Sequence, residues 1–338
     1  MHIPSITDIA DYIYATDTLP RVEEDHIVIS NQHYCTVIFF AHETVDHLVV
    51  HSVLRNHLPA ADFAVVAQAV SWSNSKFVGL TTLLEPQDDS SLAIAFRTSM
   101  PIAAGVATQQ LDTFLETSLH TTHSAVEHCM FQFPTLGRAH EDETALEQDA
   151  EYAQGIGEKI TPNPYALTTW ETESRQLEYL LVLDPELSQV TPRRIEAILR
   201  RYGPCDLHYQ LHESHLLAKI GGLYMSFRIT RDQDPEPNPQ ALVIEAKWIP
   251  DLHPDEHFIP IVALCSVWNQ SASTTKASCT IEAEERIHIN AYYSIALRYG
   301  LGEAQLMNTL RVGISNTLAA IEHISTEATG SSAVHWPL

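Results

Sequence analysis

The sequence contains an internal duplication, which limits the chain to folds that can be built twice. Residues 74–128 align without a gap on residues 269–323, at a constant offset of 195 positions. Identical residues cluster in and just before a helical pattern near the end of each copy: Gly105, Gln110, Leu111, Leu115, Thr122, Ala125, Glu127 and His128 match Gly300, Gln305, Leu306, Leu310, Thr317, Ala320, Glu322 and His323. A chain of 338 residues also has the length of two domains. We therefore expect two similar domains in tandem.

The periodicity of apolar residues predicts the same element order in both copies. Helical spacing alternates with short runs rich in β-branched and aromatic residues, which gives the order α-β-β-β-α-β-β-α. Ser5 is predicted to cap the first helix, and Thr191 to cap the helix that opens the second copy. Asn74 and Asn269 are predicted to end the middle helices. The pattern predicts an α+β fold in which each antiparallel sheet packs with helices.

Composition changes between the copies suggest four parts. We predict a first domain over 1–133, an acidic linker over 134–185, a second domain over 186–326 and a flexible tail over 327–338. The linker has a stretch with no Lys or Arg and six carboxylates, which are Glu141, Asp142, Glu143, Glu147, Asp149 and Glu151. Runs of like charge are usually solvated, so a spacer is the first expectation and an acidic docking segment the alternative.

Charge and composition restrict the partners and the compartment. With 19 basic and 43 acidic residues, the formal net charge is −24, which disfavours binding to nucleic acids and to anionic membranes. No apolar run approaches the roughly 18 residues that suggest a membrane span. The N-terminus has no signal-peptide pattern, and the 5 cysteines are widely spaced. These features predict a cytoplasmic protein with reduced thiols.

Three groups of residues have the spacing of metal ligands. The stretch from His253 to His257 satisfies the HxxEH pattern of zinc peptidases, but Pro254 makes His253 a helix cap instead of an interior residue. The other two groups are His120, His123 and Glu127, and His208, His212 and His215 with Glu213 nearby. The other copy does not repeat the first group, and it repeats only the glutamate of the second. The third group has no thiolate or carboxylate at ligand spacing other than Glu213, so we predict no metal site.

Catalytic patterns are also weak. Glu127-His128 and Glu322-His323 are adjacent pairs, and adjacent helical residues point about 100° apart, so neither pair forms a compact acid–base dyad. The sequence has no GxSxG, GxxxxGK[ST] or GxGxxG motif. We predict a non-enzymatic protein with no catalytic residues and no cofactor.

Aromatic residues are the remaining candidates for binding. Trp72 and Trp268 lie near the ends of the middle helices and are predicted to pack in the core, with partner binding as the alternative. A second aromatic group comprises Tyr292, Tyr293, Arg298 and Tyr299, and its only aromatic counterpart in the first copy is the nearby Phe96. That difference suggests that one copy carries a binding surface that the other lacks.

The motifs that precede the two long helices resemble the YbjN family. They are Gly105-Val106-Ala107-Thr108-Gln109-Gln110-Leu111 and Gly300-Leu301-Gly302-Glu303-Ala304-Gln305-Leu306. The resemblance covers about 186–325, and it reaches 1–133 through the match between the copies. One departure is that Ala107 and Gly302 stand where the family often has Ser or Thr. The family is similar in fold to the chaperones of type III secretion and is labelled a sensory transduction regulator.

The resemblance implies a protein that binds other proteins. Secretion chaperones of this fold are dimers that hold partner segments in extended form, and a tandem repeat would supply an intramolecular pseudo-dimer. We therefore predict a non-enzymatic adaptor or chaperone-like regulator, monomeric through internal pseudo-dimerisation. A sheet face, an edge strand or a groove between the domains would hold a protein or peptide partner. The alternatives are a small-molecule sensor with a pocket between the domains and a metal-dependent hydrolase that uses His257.

Overall fold

The computed structural model of the chain describes residues 2–16, 19–42, 46–87, 90–138, 149, 152–153, 187–202, 208–230, 240–282 and 285–336. The described helices are α1 (Ile6–Tyr14), α2 (Phe63–Lys76), α3 (Thr108–Gln132), α4 (Pro192–Tyr202), α5 (Pro254–Ser271) and α6 (Glu303–Thr329). The described strands are β1 (Arg21–Val22), β2 (His26–Ser30), β3 (Tyr34–His42), β4 (Asp46–Leu54), β5 (Leu58–Pro59), β6 (Thr81–Pro86), β7 (Ser91–Pro101), β8 (His208–Leu211), β9 (His215–Ile220), β10 (Leu223–Ile229), β11 (Ala241–Trp248), β12 (Thr275–Ile281) and β13 (Ile287–Ala296).

The strands form two antiparallel sheets with the same strand order. The first follows β1-β2-β3-β4-β7, and both β5 and β6 pair with β7. The second follows β8-β9-β10-β11-β13-β12. The predicted α+β class with two antiparallel sheets is confirmed. The predicted order has three strands before each middle helix, whereas the first copy has five, β1 to β5, and the second has four, β8 to β11. The two-residue strands β1 and β5 are too short to leave a periodic signal in the sequence.

The described chain divides into two compact units, and neither is continuous in sequence. Unit 1 comprises Met1–Val70, Leu80–Asn163 and Gln270–Ser273. Unit 2 comprises Ser71–Gly79, Pro164–Asn269 and Thr274–Leu338. Each unit therefore includes a short segment from the other copy. The domain limits predicted from composition stay a prediction.

In unit 1, α1 and α3 cover one face of the first sheet. Ile9 and Ile13 of α1 are fully buried, as are Leu115 of α3 and the sheet residues Ile38 and Leu48. Burying such side chains contributes about 1.5–3 kcal/mol each. This apolar cluster holds the two helices on the sheet and leaves the opposite face for other contacts.

In unit 2, the long helix α6 packs closely on the second sheet at Gly313. A Cβ atom on Gly313 would lie 2.4 Å from Ile244 Cδ1 and 2.8 Å from Tyr293 Cδ1. Both neighbours are fully or almost fully buried. A glycine is required there because the helix backbone approaches the sheet more closely than any other residue would allow.

The repeated motif before each long helix is a turn and a cap. Gly105 and Gly300 have positive φ angles of 70° and 72°, which favour glycine. Gln110 Oε1 accepts a hydrogen bond from the Ala107 amide at 3.0 Å, and Gln305 Oε1 accepts one from the Gly302 amide at 2.9 Å. The duplicated glycine and glutamine thus form the turn and the first turn of each helix.

The predicted caps at the two opening helices are confirmed. Ser5 Oγ accepts a hydrogen bond from the Asp8 amide, and the Asp8 carboxylate accepts one from the Ser5 amide. Thr191 Oγ1 accepts a hydrogen bond from the Arg194 amide at 3.2 Å, and α4 begins at Pro192. Both helices begin at the residues that the sequence indicates.

Two other predictions are wrong in detail. Asn74 and Asn269 are interior residues of α2 and α5, which continue to Lys76 and Ser271, and both are buried. Asn tolerates the left-handed conformation that often ends a helix, but the Asn269 amide instead bonds to the backbone of Ala277 inside unit 2.

The predicted flexible tail over 327–338 is ordered where the structure describes it. Helix α6 continues to Thr329 and ends at Gly330, which has a φ of 76°. Val334 is buried, and Trp336 Nε1 donates to the Glu322 carboxylate at 2.7 Å. The Ser- and Gly-rich composition suggested fraying, but an apolar and an aromatic anchor hold residues 331–336 in unit 2. Within the described residues, no helix is long and apolar enough to cross a membrane.

Candidate functional site

The face of the first sheet opposite α1 and α3 holds a segment from downstream in the chain. This face is apolar at its centre, where its buried residues include Val28, Cys35, Val37, Val49, Val53 and Leu83. Ala153 belongs to the same cluster, and Tyr152 packs against it. We call the sheet surface the segment face and Asp149, Tyr152 and Ala153 the cis segment. All of these residues lie in unit 1.

Asp149 anchors the cis segment through a buried ion pair with Arg55. Arg55 Nη1 donates to Asp149 Oδ1 at 2.6 Å, and Arg55 Nη2 donates to Asp149 Oδ2 at 2.9 Å. Only 8% and 5% of the two side chains are exposed. Ser30 Oγ donates to the same carboxylate, and Arg55 Nε donates to the Asn31 carbonyl. This bidentate arrangement is specific for a carboxylate, because its planar shape matches the guanidinium.

Tyr152 makes the second polar contact of the cis segment. Its hydroxyl lies 2.9 Å from His51 Nε2, and the two ring centroids are 6.1 Å apart. On the other side of the imidazole, Arg97 Nε donates to His51 Nδ1 at 3.3 Å. Because arginine only donates, Nδ1 must accept and Nε2 must carry the proton that His51 donates to Tyr152.

Arg97 is held in turn by backbone carbonyls of unit 1. Its Nη1 donates to the carbonyls of Gln270 and Ala272 at 3.3 and 3.0 Å, and the side chain is 3% exposed. A buried guanidinium without partners would be costly, so these carbonyls fix the direction of the side chain. The segment face thus has two arginines. Arg55 binds the carboxylate directly, and Arg97 orients His51, which contacts the Tyr152 hydroxyl.

Burial and charge raise the pKa values of two groups at this face. Burial raises the pKa of the Cys35 thiol well above its ordinary value, and the nearby Asp149 carboxylate raises it further. Burial also raises the pKa of the Tyr152 hydroxyl, which therefore stays neutral. A neutral thiol and a neutral phenol are poor nucleophiles. The arrangement holds the Asp149 carboxylate and the neutral phenol of Tyr152.

The predicted solvated spacer is wrong at Asp149, which is 3% exposed. The sequence favoured solvation because the surrounding charges all have one sign, but a buried arginine from β4's end supplies the opposite charge. The other five carboxylates of the acidic stretch lie outside the described residues. The alternative, an acidic docking segment, stays a prediction.

The matching face of the second sheet differs in character. The pair Glu245 and Tyr292 occupies the register position of His51 and Arg97. Tyr224 is 72% exposed on this face, and Lys219 Nζ lies 5.9 Å from its ring centroid. The two copies therefore share a scaffold and differ in what their free sheet faces present.

One edge of the second sheet is closed by side chains of unit 2. Asn269 Nδ2 donates to the Ala277 carbonyl at 2.9 Å, and its Oδ1 accepts from the Ala277 amide at 2.7 Å. Ser71 Oγ makes the equivalent pair of contacts with Cys279. An extended partner cannot pair with these backbone groups on β12, because both side chains already do. Asn269, predicted as a helix cap, instead occupies the backbone groups of the edge strand β12.

The sequence-predicted metal ligands do not form a site in the described part of the chain, where no group of three or more His, Cys, Asp or Glu could hold an ion. His123 pairs with Glu127 at 3.5 Å on an exposed helix surface. His253 precedes α5, as its Pro254 neighbour indicated, and 69% of its side chain is exposed. His212 and His215 stack with ring centroids 4.3 Å apart.

The adjacent Glu-His pairs contact different partners. Glu322 accepts from Trp336, whereas the His323 ring lies 5.8 Å from that of Trp268. Trp268 is 4% exposed and donates to the Thr275 carbonyl, as expected for a core residue. Trp72 is 43% exposed, so its predicted core position is wrong. Its helix turns this position outward, while Val66, Ala67 and Val70 face the core.

Sequence reasoning missed Arg55, His51 and Arg97. The available signal was Arg97 within the apolar run of β7, since a charged residue in a buried strand requires a partner. No local pattern pointed to Arg55, because its partner Asp149 is 94 residues away.

No protein-family model matches the chain, and no curated protein matches it. Among solved structures, the chain is similar to the crystal structure of YbjN from E. coli, for which a role as a transcription regulator has been suggested. The match has 14% sequence identity and a TM-score of 0.33, and it covers 38% of this chain and 95% of that one. This likeness concerns the fold alone.

Proposed function

We propose that the protein is a non-enzymatic adaptor or chaperone-like regulator that binds an acidic segment of a partner protein on the segment face. The observation that carries the proposal is the bidentate contact of Arg55 with Asp149 on a buried apolar sheet face. An arginine that is buried in such a surface needs a carboxylate partner, and proteins use this geometry to recognise carboxylates.

The proposal also covers the cellular location, the arrangement of the two repeats and the class of partner. A cytoplasmic location and a sensory role are proposed with it, and the free, buried thiols of Cys35, Cys129, Cys265 and Cys279 support a reducing compartment. We also propose that the two repeats act as an intramolecular pseudo-dimer, for which their equal strand order is the support. The net charge of −24 makes a nucleic-acid partner unfavourable.

Affinity capture with three baits tests this function. The baits are the full chain, its Arg55→Gln variant and its Glu327→Gln variant, which removes one exposed charge in unit 2. Each enriched protein is then purified, and its affinity for the three baits is measured by calorimetry. We expect a partner that binds the first and third baits equally and Arg55→Gln at least about tenfold more weakly.

Two results would contradict the proposal. One is the absence of any partner enriched above the bead control. The other is a purified partner that binds all three baits with equal affinity, because its binding would then be independent of the segment face.

A further inference from the structure

We propose that the cis segment is a built-in competitor, which a partner segment of the same chemistry displaces from the segment face. This inference rests on the proposed function and adds the partner's chemistry and its regulation. The partner would carry an Asp and a Tyr three residues apart, followed by a small residue, as in Asp149, Tyr152 and Ala153.

The spacing of the anchors defines the ligand. Asp149, Tyr152 and Ala153 are helical. Residues three apart lie on one side of a helix, so one turn presents the carboxylate and the phenol to the sheet together. Arg55 and Ser30 receive the carboxylate, and His51 contacts the hydroxyl. A helical acidic turn therefore fits the segment face, which replaces the extended partner expected from the sequence.

The contacts that hold the cis segment allow exchange. A buried ion pair adds little net stability after its desolvation cost, but removing one of the two partners destabilises the protein strongly. The face therefore needs a carboxylate at Arg55, and a carboxylate from another chain satisfies the same geometry. Among the described downstream residues, Ala153 belongs to the apolar cluster and Tyr152 packs against it.

The polar contacts at the rim set the specificity. Arg97 holds His51 so that its Nε2 donates outward, which selects a hydroxyl or another acceptor at the position of the Tyr152 oxygen. A segment with Asp but no Tyr would lack the hydroxyl that His51 contacts at this position. Arg97 is therefore a positioning residue for the partner's tyrosine.

Competition within one chain is governed by effective concentration. A tethered segment acts at roughly millimolar effective concentration, so a free peptide at micromolar concentration does not displace it unless its own contacts are better. Weakening the cis segment should therefore reveal binding of the same sequence supplied in trans. Simple structural packing of a linker gives no such behaviour.

A fluorescent peptide of residues 144–156 provides the test, with anisotropy as the measurement. We expect the full-length variant Asp149→Asn/Tyr152→Phe to bind it at least about tenfold more tightly than the unchanged chain or the Glu327→Gln control. Changing the peptide's own aspartate to asparagine, or adding Arg55→Gln to the protein, should each weaken binding at least about tenfold.

The proposal is overturned if the double variant keeps its circular dichroism spectrum and binds the peptide no better than the unchanged chain. If the double variant does not fold, the single variant Tyr152→Phe is used instead. We expect it to bind the peptide about fivefold more tightly than the unchanged chain, and equal affinity would overturn the proposal. Failure here leaves the proposed function intact when a captured partner still depends on Arg55. A partner that binds the unchanged chain and the double variant equally contradicts the competition alone.

Discussion

At the scale of single residues, Gly313 shows how tightly α6 packs on the second sheet. A methyl group there would overlap Ile244 and Tyr293, which are buried and cannot move aside without disturbing the core. We predict that Gly313→Ala lowers the free energy of unfolding by about 1–3 kcal/mol. Urea denaturation measures the effect, with Gly137→Ala as control, since its nearest neighbour would be 3.7 Å away. Equal effects of the two substitutions would contradict the packing.

The ion pair of Arg55 and Asp149 leads to a second prediction. Arg55→Met or Asp149→Leu alone leaves a buried charge without its partner, and each should cost about 3–5 kcal/mol. The double variant removes both charges and should cost clearly less than the sum of the singles. Chemical denaturation of all four proteins completes the cycle. Additive costs would mean that the two side chains do not interact.

Lys276 gives a prediction about pH. Burial lowers the pKa of this lysine to about 7 from 10.5, although its Nζ donates to the Phe77 carbonyl and lies 5.7 Å from the Tyr292 ring centroid. Between these two values the unfolded chain binds a proton that the folded chain does not, so stability should rise with pH from about 7 to 10.5.

Substitution isolates the contribution of Lys276 to this slope. The Lys276→Met variant lacks the buried titrating group and should show a smaller rise in the free energy of unfolding across the same pH range. Parallel slopes for the two proteins would show that Lys276 keeps its proton in the fold.

At the scale of elements, the starts of the long helices can be improved. Ala107 is the N-cap of α3 and Gly302 that of α6, and neither side chain makes a cap hydrogen bond. We predict that Ala107→Ser raises the free energy of unfolding by about 1 kcal/mol, and that Gly302→Ser raises it by only a few tenths. Thermal melting of the two variants checks both the sign and the ranking. A loss of stability in Ala107→Ser would contradict the assigned cap.

Elements whose signals are local were predictable from the sequence. The cap at Ser5, the starts of the long helices at Thr108 and Glu303 and most strands follow from neighbouring residues. The roles of Asn269 and Trp72 were not, because burial depends on which side of a helix meets the sheet. The segment face was not predictable either, since the contact between Arg55 and Asp149 joins residues 94 positions apart. Charge periodicity within the acidic stretch carries no information about so distant a partner.

At the scale of the whole molecule, the repeat boundaries and the compact units do not coincide. Unit 1 needs Gln270–Ser273, whose carbonyls receive Arg97, and unit 2 needs Ser71–Gly79, whose Ser71 pairs with Cys279. A fragment cut near the acidic linker therefore leaves buried polar groups without partners. Duplication supplies the sheet order, but each sheet is completed by residues from the other copy.

This dependence predicts how a fragment of residues 1–163 behaves. It retains the first sheet and the cis segment but lacks the carbonyls of Gln270 and Ala272, so Arg97 loses two of its contacts. In the full chain, Arg97→Leu should cost about 2–3 kcal/mol, because the two carbonyls and His51 lose their donor. The same substitution should cost clearly less in the fragment, where the carbonyls are already missing.

Val50→Ala is the control, because its apolar cluster lies within the fragment, and it should cost the same in the full chain and in the fragment. Urea denaturation of the six proteins gives the comparison, and an equal cost of Arg97→Leu in both backgrounds would mean that unit 1 is complete without Gln270–Ser273.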